Sequence, residues 1–86
     1  MATFGETLKR ERELRKITLR EVSEATKIGL RYLEALESNQ FDQLPGGVFN
    51  KGFIRAYASF IGLETEALVN AYLFDVASLK LSLIHI

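Results

Sequence analysis

The stretch Thr18–Glu37 reads TLREVSEATKIGLRYLEALE and holds two short helical patterns with a break between them. Thr18 suits a helix N-cap, and Glu21 three residues later completes a capping box. Ile17 before the cap and Val22 after it are spaced for a hydrophobic staple. A short helix is expected over about Leu19–Thr26, with Val22 and Ala25 buried. Ile28 is a packed turn residue, and Gly29 opens a second helix, Leu30–Glu37, whose Leu33 and Leu36 face the core. Ser38 and Asn39 end it. Two short helices across a tight turn form a helix-turn-helix, the scaffold that places its second helix in a major groove.

Upstream, one helix is expected over Phe4–Arg15. Leu8 and Leu14 face inward; Lys9, Arg10, Glu13 and Lys16 face water. Downstream, Gln40–Val48 contains Phe41, Leu44, Pro45, Gly46 and Gly47. Proline disfavours a helical residue before it and the glycines cost backbone entropy, so a tucked loop pinned by Phe41 and Leu44 is expected. The segment Phe49–Ile61, FNKGFIRAYASFI, is a fourth helix stopped by Gly62. Glu64 can cap a fifth over Thr65–Asp75, with Leu68, Tyr72 and Val76 along one face and Glu66 suiting its dipole. Five helices with short connections make an all-α, compact five-helix bundle over residues 1–76. The end, Leu79–Ile86, reads LKLSLIHI and alternates like a strand with nothing to pair with. Residues 77–86 read as a tail, either a cloning scar or a disordered extension. Continuation of the fifth helix and an oligomer-forming strand are the alternatives.

The chain has 86 residues, no cysteine, and 11 basic against 11 acidic residues. One core is possible, without disulfide or thiolate support. A dedicated duplex binder usually gathers excess Lys and Arg, although local patches matter more than totals. No signal peptide is visible, and no apolar run reaches membrane-spanning length. The one histidine, His85, stands in the tail, the carboxylates sit at salt-bridge spacings, and Leu44–Gly47 lacks the order of a phosphate loop. No enzyme, cofactor or metal site is expected.

Two features carry functional meaning. On the fourth helix Phe49, Phe53, Tyr57 and Phe60 share one side, and Ile54, Ala58 and Ile61 an adjacent one. Together they cover roughly half the circumference, whereas a surface helix usually buries about 100°. Either the helix is central to the core or part of its aromatic face is left for a partner. On the helix-turn-helix, the exposed start of the second helix offers Gly29, Leu30, Arg31 and Tyr32. Arg31 is the one good base reader there. Lys27 and Arg20 are placed for phosphates, while Glu24, Glu34 and Glu37 oppose them. The plain reading of Arg20, Lys27 and Arg31 is a solvated surface.

The segment FGETLKRERELRKITLREVSEATKIGLRYLEALE resembles the Cro/C1-type, or XRE-type, helix-turn-helix family, whose fold is lambda-repressor-like. The adjoining segment, SNQFDQLPGGVFNKGFIRAYASFIGLETEALVNAY, is similar to the cytoplasmic N-terminal domains of RodZ-like cell-shape proteins. The resemblance covers Phe4–Tyr72. It implies a structural ion pair between Arg12 and Glu37, joining the first helix to the end of the third. A glutamine that touches DNA commonly opens the family's second helix, where this chain has Leu19. Polar base readers occur at the positions of Leu30 and Ala35, both apolar here. For a RodZ-like domain it implies binding to the actin-like filament protein MreB through the fourth helix, at Phe49 and Phe53, with Tyr57 a weaker candidate. Lys51 and Arg55 would pair with acidic groups of the filament. The alternative is a sequence-specific DNA-binding domain of an XRE-type transcriptional regulator, using Arg20, Lys27 and Arg31. The resemblance further implies a cytoplasmic domain, with a parent anchored in the inner membrane by one span beyond it.

Overall fold

Thr3 starts the first helix by a device read at Thr18 but not there. The Glu6 amide donates to Thr3 Oγ1 at 3.2 Å, and the Thr3 amide donates back to the Glu6 carboxylate at 3.3 Å. The same box closes at Thr18, with 3.1 Å and 2.8 Å for the two bonds. Each box satisfies two amides that a helix start leaves without partners. The computed structural model describes the backbone of residues 3–84 and the side chains of residues 3–77.

The order is α1 (Phe4–Leu14), α2 (Leu19–Thr26), α3 (Leu30–Glu37), a 3₁₀ turn (Phe41–Gln43), α4 (Gly47–Ile61) and α5 (Thr65–Ile84). No strand occurs among the described residues, and the five helices form an all-α bundle. The α2–α3 turn is tight because Lys27 takes a left-handed conformation, φ 66°. Ser23 Oγ then donates to the Ile28 carbonyl at 2.6 Å, and Ile28 packs into the core.

Leu8, Val22, Leu33, Leu36, Ile54 and Tyr57 are fully buried and join α1 to α4 in one core. Against it α4 packs on α2 and α5, while α1 packs on α3 and α5. Phe4, Phe41 and Tyr72 meet edge to face, with centroids 5.2–6.0 Å apart, and close the end of the bundle where the 3₁₀ turn lies.

Three expectations need correction. Leu14 is 69% exposed, because α1 ends there and the chain turns away before the side chain meets a neighbour. Ala25 is exposed, since Val22 alone fills the inner face of the eight-residue α2. The fourth helix begins at Gly47, not Phe49. Gly46 adopts φ 101°, which a side chain would resist, and its amide donates to Asn50 Oδ1 at 2.9 Å. Asn50 is itself buried and donates to the Tyr72 hydroxyl at 2.9 Å, so a contact to α5 fixes the start of α4.

Glu64 caps α5 by accepting from the Ala67 amide at 2.6 Å. The helix then continues to Ile84, beyond Asp75 where the sequence pattern ends it. His85 and Ile86 lie outside the described residues.

Candidate functional site

On the helix-turn-helix, the outer side of α3 presents Leu30, Arg31, Glu34 and Ser38. Ala35 is buried and cannot reach a base edge; Leu19 is half-buried at the head of α2. Arg20, Lys27 and Arg31 are all exposed, and no ion pair among the described residues engages them. Glu24 and Glu34 are exposed on the same two helices. Glu37, expected to repel phosphates, is withdrawn from that role.

The Glu37 carboxylate is bound from two sides. Arg12 Nε donates to Oε2 at 2.7 Å and Nη2 to Oε1 at 2.9 Å, a bidentate pair with both side chains nearly buried. Arg12 Nη1 also donates to the Ile17 carbonyl at 2.9 Å, which ties the loop before α2 to the same group. Tyr57 of α4 donates its hydroxyl proton to Glu37 Oε2, with the Leu8 carbonyl 3.2 Å away. The Glu37 hydrogen bond raises Arg12 above the ordinary guanidinium value. Burial, then the bond to Glu37, pushes the Tyr57 phenol well above its ordinary value. The node joins α1, α3 and α4 and sets where α3 lies. Tyr57 has no exposed surface, so its expected part as a weaker contact gives way to this structural one.

A second junction escaped the sequence reading. At the head of α1 the Phe4 amide donates to Asp75 Oδ2 at 3.1 Å and the Gly5 amide to Asn39 Oδ1 at 2.8 Å. Asn39 also donates to Thr3 Oγ1 at 2.8 Å. The backbone runs so close that a Cβ on Gly5 would lie 2.7 Å from the Leu36 carbonyl oxygen. Asn39 is signalled only by type, as a residue that tolerates its left-handed φ of 61°. Nothing local marks Gly5 or Asp75, because their partners are distant in sequence.

The buried arc of α4 is Asn50, Ile54, Tyr57, Ala58 and Ile61. At about 100° per residue these five span about 100°, the width of one ordinary buried stripe. Phe49, Phe53 and Phe60 form the adjoining strip outside it. Phe49 is 66% exposed, and Val48 one residue earlier is 84% exposed. Phe53 is half-buried and stacks on Tyr32 of α3, with centroids 5.5 Å apart and planes at 28°. Lys51 and Arg55 each stand two residues, about 200°, from Phe49 and Phe53, on the opposite flank. Lys51 is half-buried, and Arg55 Nε donates to Glu66 of α5 at 3.1 Å. The structure thus brings Phe49 and Phe53 together and sets the two cations apart from them.

The helix-turn-helix domain family matches residues 7–68. The cytoskeleton protein RodZ of Streptococcus pneumoniae is 36% identical over 70 residues, 81% of this chain and 25% of that protein. YmfM of Bacillus subtilis, an uncharacterized membrane protein, is 37% identical over 60 residues, 70% of this chain and 21% of that protein. The chain therefore spans about a quarter of the length of these curated relatives. Among solved structures, YmfM of Staphylococcus aureus, described as a suspected DNA-binding membrane protein, superposes with a TM-score of 0.76 at 42% identity. That match covers 84% of this chain and 88% of the other. No helix among the described residues is long and apolar enough to cross a membrane. With the fold, the Thr18–Glu37 geometry and these likenesses together, the chain belongs to the helix-turn-helix domain family, as a non-catalytic XRE-type domain related to RodZ and YmfM.

Proposed function

We propose that the domain contacts duplex DNA through its helix-turn-helix. The observation that carries this is the exposure of Arg20, Lys27 and Arg31 with no ion-pair partner among the described residues. The solved relative described as a suspected DNA-binding protein supports it, and the likeness is high enough to compare surfaces as well as fold. The resemblance in sequence alone put a filament partner first; the description of the solved relative favours nucleic acid. Three cations make a modest electrostatic footprint, and Glu24 and Glu34 reduce it. Contact is then mainly to phosphates, with Arg31 the one side chain suited to a guanine edge. A labelled mixed-sequence duplex, titrated by anisotropy at several salt concentrations, tests this. With Arg20 and Lys27 on phosphates and Arg31 on a base edge, a slope of log affinity against log salt of about −2 is expected. No binding at low salt, or binding indifferent to salt, would overturn the reading.

The α4 surface favours a second reading: Phe49 and Phe53 dock on an actin-like filament of the MreB type. Val48 and Phe49 are exposed next to one another beside half-buried Phe53, an apolar patch of the kind that marks a docking surface. The RodZ relative is named for the cytoskeleton, which supports the same reading. Lys51 and Arg55, on the other flank, would serve at most as a rim. Replacing Phe49 by Ala should weaken cosedimentation with filaments about 30-fold, a hot-spot loss of about 2 kcal/mol, and Lys51→Ala much less. Equal losses from both would count against an aromatic centre. In either reading the parent protein is membrane-anchored, in keeping with the two YmfM relatives, both described as membrane proteins.

A further inference from the structure

We infer that Gln40 and Gln43, in the turn after α3, are specificity-determining residues of the duplex surface and select an adenine beside the base that Arg31 meets. The inference rests on the duplex reading and extends that surface beyond the two helices. A 3₁₀ turn repeats every three residues, so side chains at i and i+3 eclipse one another. Phe41 and Leu44 form one such pair and turn inward: Phe41 meets Phe4 and Tyr72 edge to face, and Leu44 is buried. Gln40 and Gln43 form another, and both are exposed. Their backbones are fixed. The Gln40 amide donates to the Ala35 carbonyl at 2.9 Å, and the Gln43 amide to the Gln40 carbonyl at 3.0 Å. Their side-chain amides have no hydrogen-bond partner among the described residues.

The two glutamines wall a notch of about 370 Å³ together with Arg31, Glu34, Ala35 and Ser38 of α3. Ala35 follows Arg31 by one helical turn and is buried, and its small methyl leaves the space beside Arg31 open. Every other lining side chain is polar, unlike the mostly apolar clefts that hold small molecules. Glu34 is exposed there, and its carboxylate repels a phosphate, whereas the edge of a neutral base meets no such penalty. Ser38 Oγ donates to the Glu34 carbonyl at 2.7 Å, so its proton is already engaged. The glutamine amides are then the lining groups that can both donate and accept. In the major groove an adenine presents a donor at N6 and an acceptor at N7, and one glutamine amide matches both. Arg31 matches guanine O6 and N7 in the same way. One notch thus carries a reader on the recognition helix and a reader on the turn. Because Phe41 and Leu44 anchor the turn, its wall is in place before a duplex arrives.

The test selects bound sequences from a random duplex library with wild type, Arg31→Ala and a Gln40→Ala, Gln43→Ala double variant. Alanine keeps the backbone bonds of the turn, and melting temperatures measured beside the selection check the fold. Wild type should select a guanine with an adenine close by; Arg31→Ala should lose the guanine, and the double variant the adenine. Replacing that A·T pair by G·C should weaken wild type about tenfold or more and the double variant hardly at all. An amide carries no charge, so the salt slope of the double variant should match that of wild type. A wild type without the adenine preference, or a double variant that keeps it, overturns the inference and leaves the duplex reading standing. So does a loss of affinity equal on every sequence, which would mark contacts to phosphate. Absence of duplex binding by wild type at low salt removes the duplex reading, and this inference with it.

Discussion

Glu37 accepts two bonds from Arg12 and one from Tyr57 in a nearly buried site. Removing one partner of such a pair strands a charge, which typically costs about 3–5 kcal/mol. Arg12→Met should therefore lower the urea midpoint sharply, whereas Arg12→Met with Glu37→Leu should recover much of the loss. If the double variant is as unstable as the single, packing rather than charge holds the node. Tyr57 gives the node a pH signature. Its folded value is raised, so its contribution is whole below the ordinary phenol value of about 10 and fades as pH climbs past it. Tyr57→Phe should flatten the alkaline decline in melting temperature. At Gly5 the expected outcome runs against helix propensity. Alanine is better than glycine in a helix by about 1 kcal/mol, yet its Cβ would collide with the Leu36 and Glu37 carbonyls. Gly5→Ala should lower the melting temperature; a rise would show that α1 can shift freely on α3. The Arg12–Glu37 pair was legible only through family resemblance. Gly5 was not legible at all, since a close approach between backbones leaves no mark in the sequence near it.

Among the elements, those whose limits are written locally were readable. Thr18 with Glu21 gave the start of α2, and Gly62 the end of α4. Thr18→Ala should cost roughly 0.5–2 kcal/mol in a chemical melt. Glu21 is held below its ordinary value by the Thr18 amide and hydroxyl. Its contribution is present above the ordinary carboxylate range and is lost as pH falls through the lower folded value. Glu21→Gln should therefore blunt the acid destabilisation of the fold; an unchanged acid limb would argue that the box is open in solution. The start of α4 was not readable. Two glycines after a proline oppose a helix locally, but Asn50 bonds both the Gly46 amide and the Tyr72 hydroxyl, and that tertiary contact decides. The aromatic stripe shows a related limit. Periodicity gave two adjacent stripes on α4 and could not say which faced inward. The structure buries the Ile54 stripe, takes Tyr57 with it, and leaves Phe49 outside.

At the scale of the whole molecule, formal charge is zero while the helix-turn-helix still shows three exposed cations, so function depends on placement rather than total. Sequence reading located those cations but also counted Glu37 against them, because its capture by Arg12 and Tyr57 depends on packing between three helices. The central claim is that this surface meets duplex DNA, and the salt dependence of duplex affinity tests it most directly when wild type is compared with Arg31→Ala. The account predicts a wild-type slope of about −2, largely kept in the variant, which loses affinity and discriminates less between duplex sequences. A slope near zero, or identical slopes and affinities for the two proteins, would contradict it.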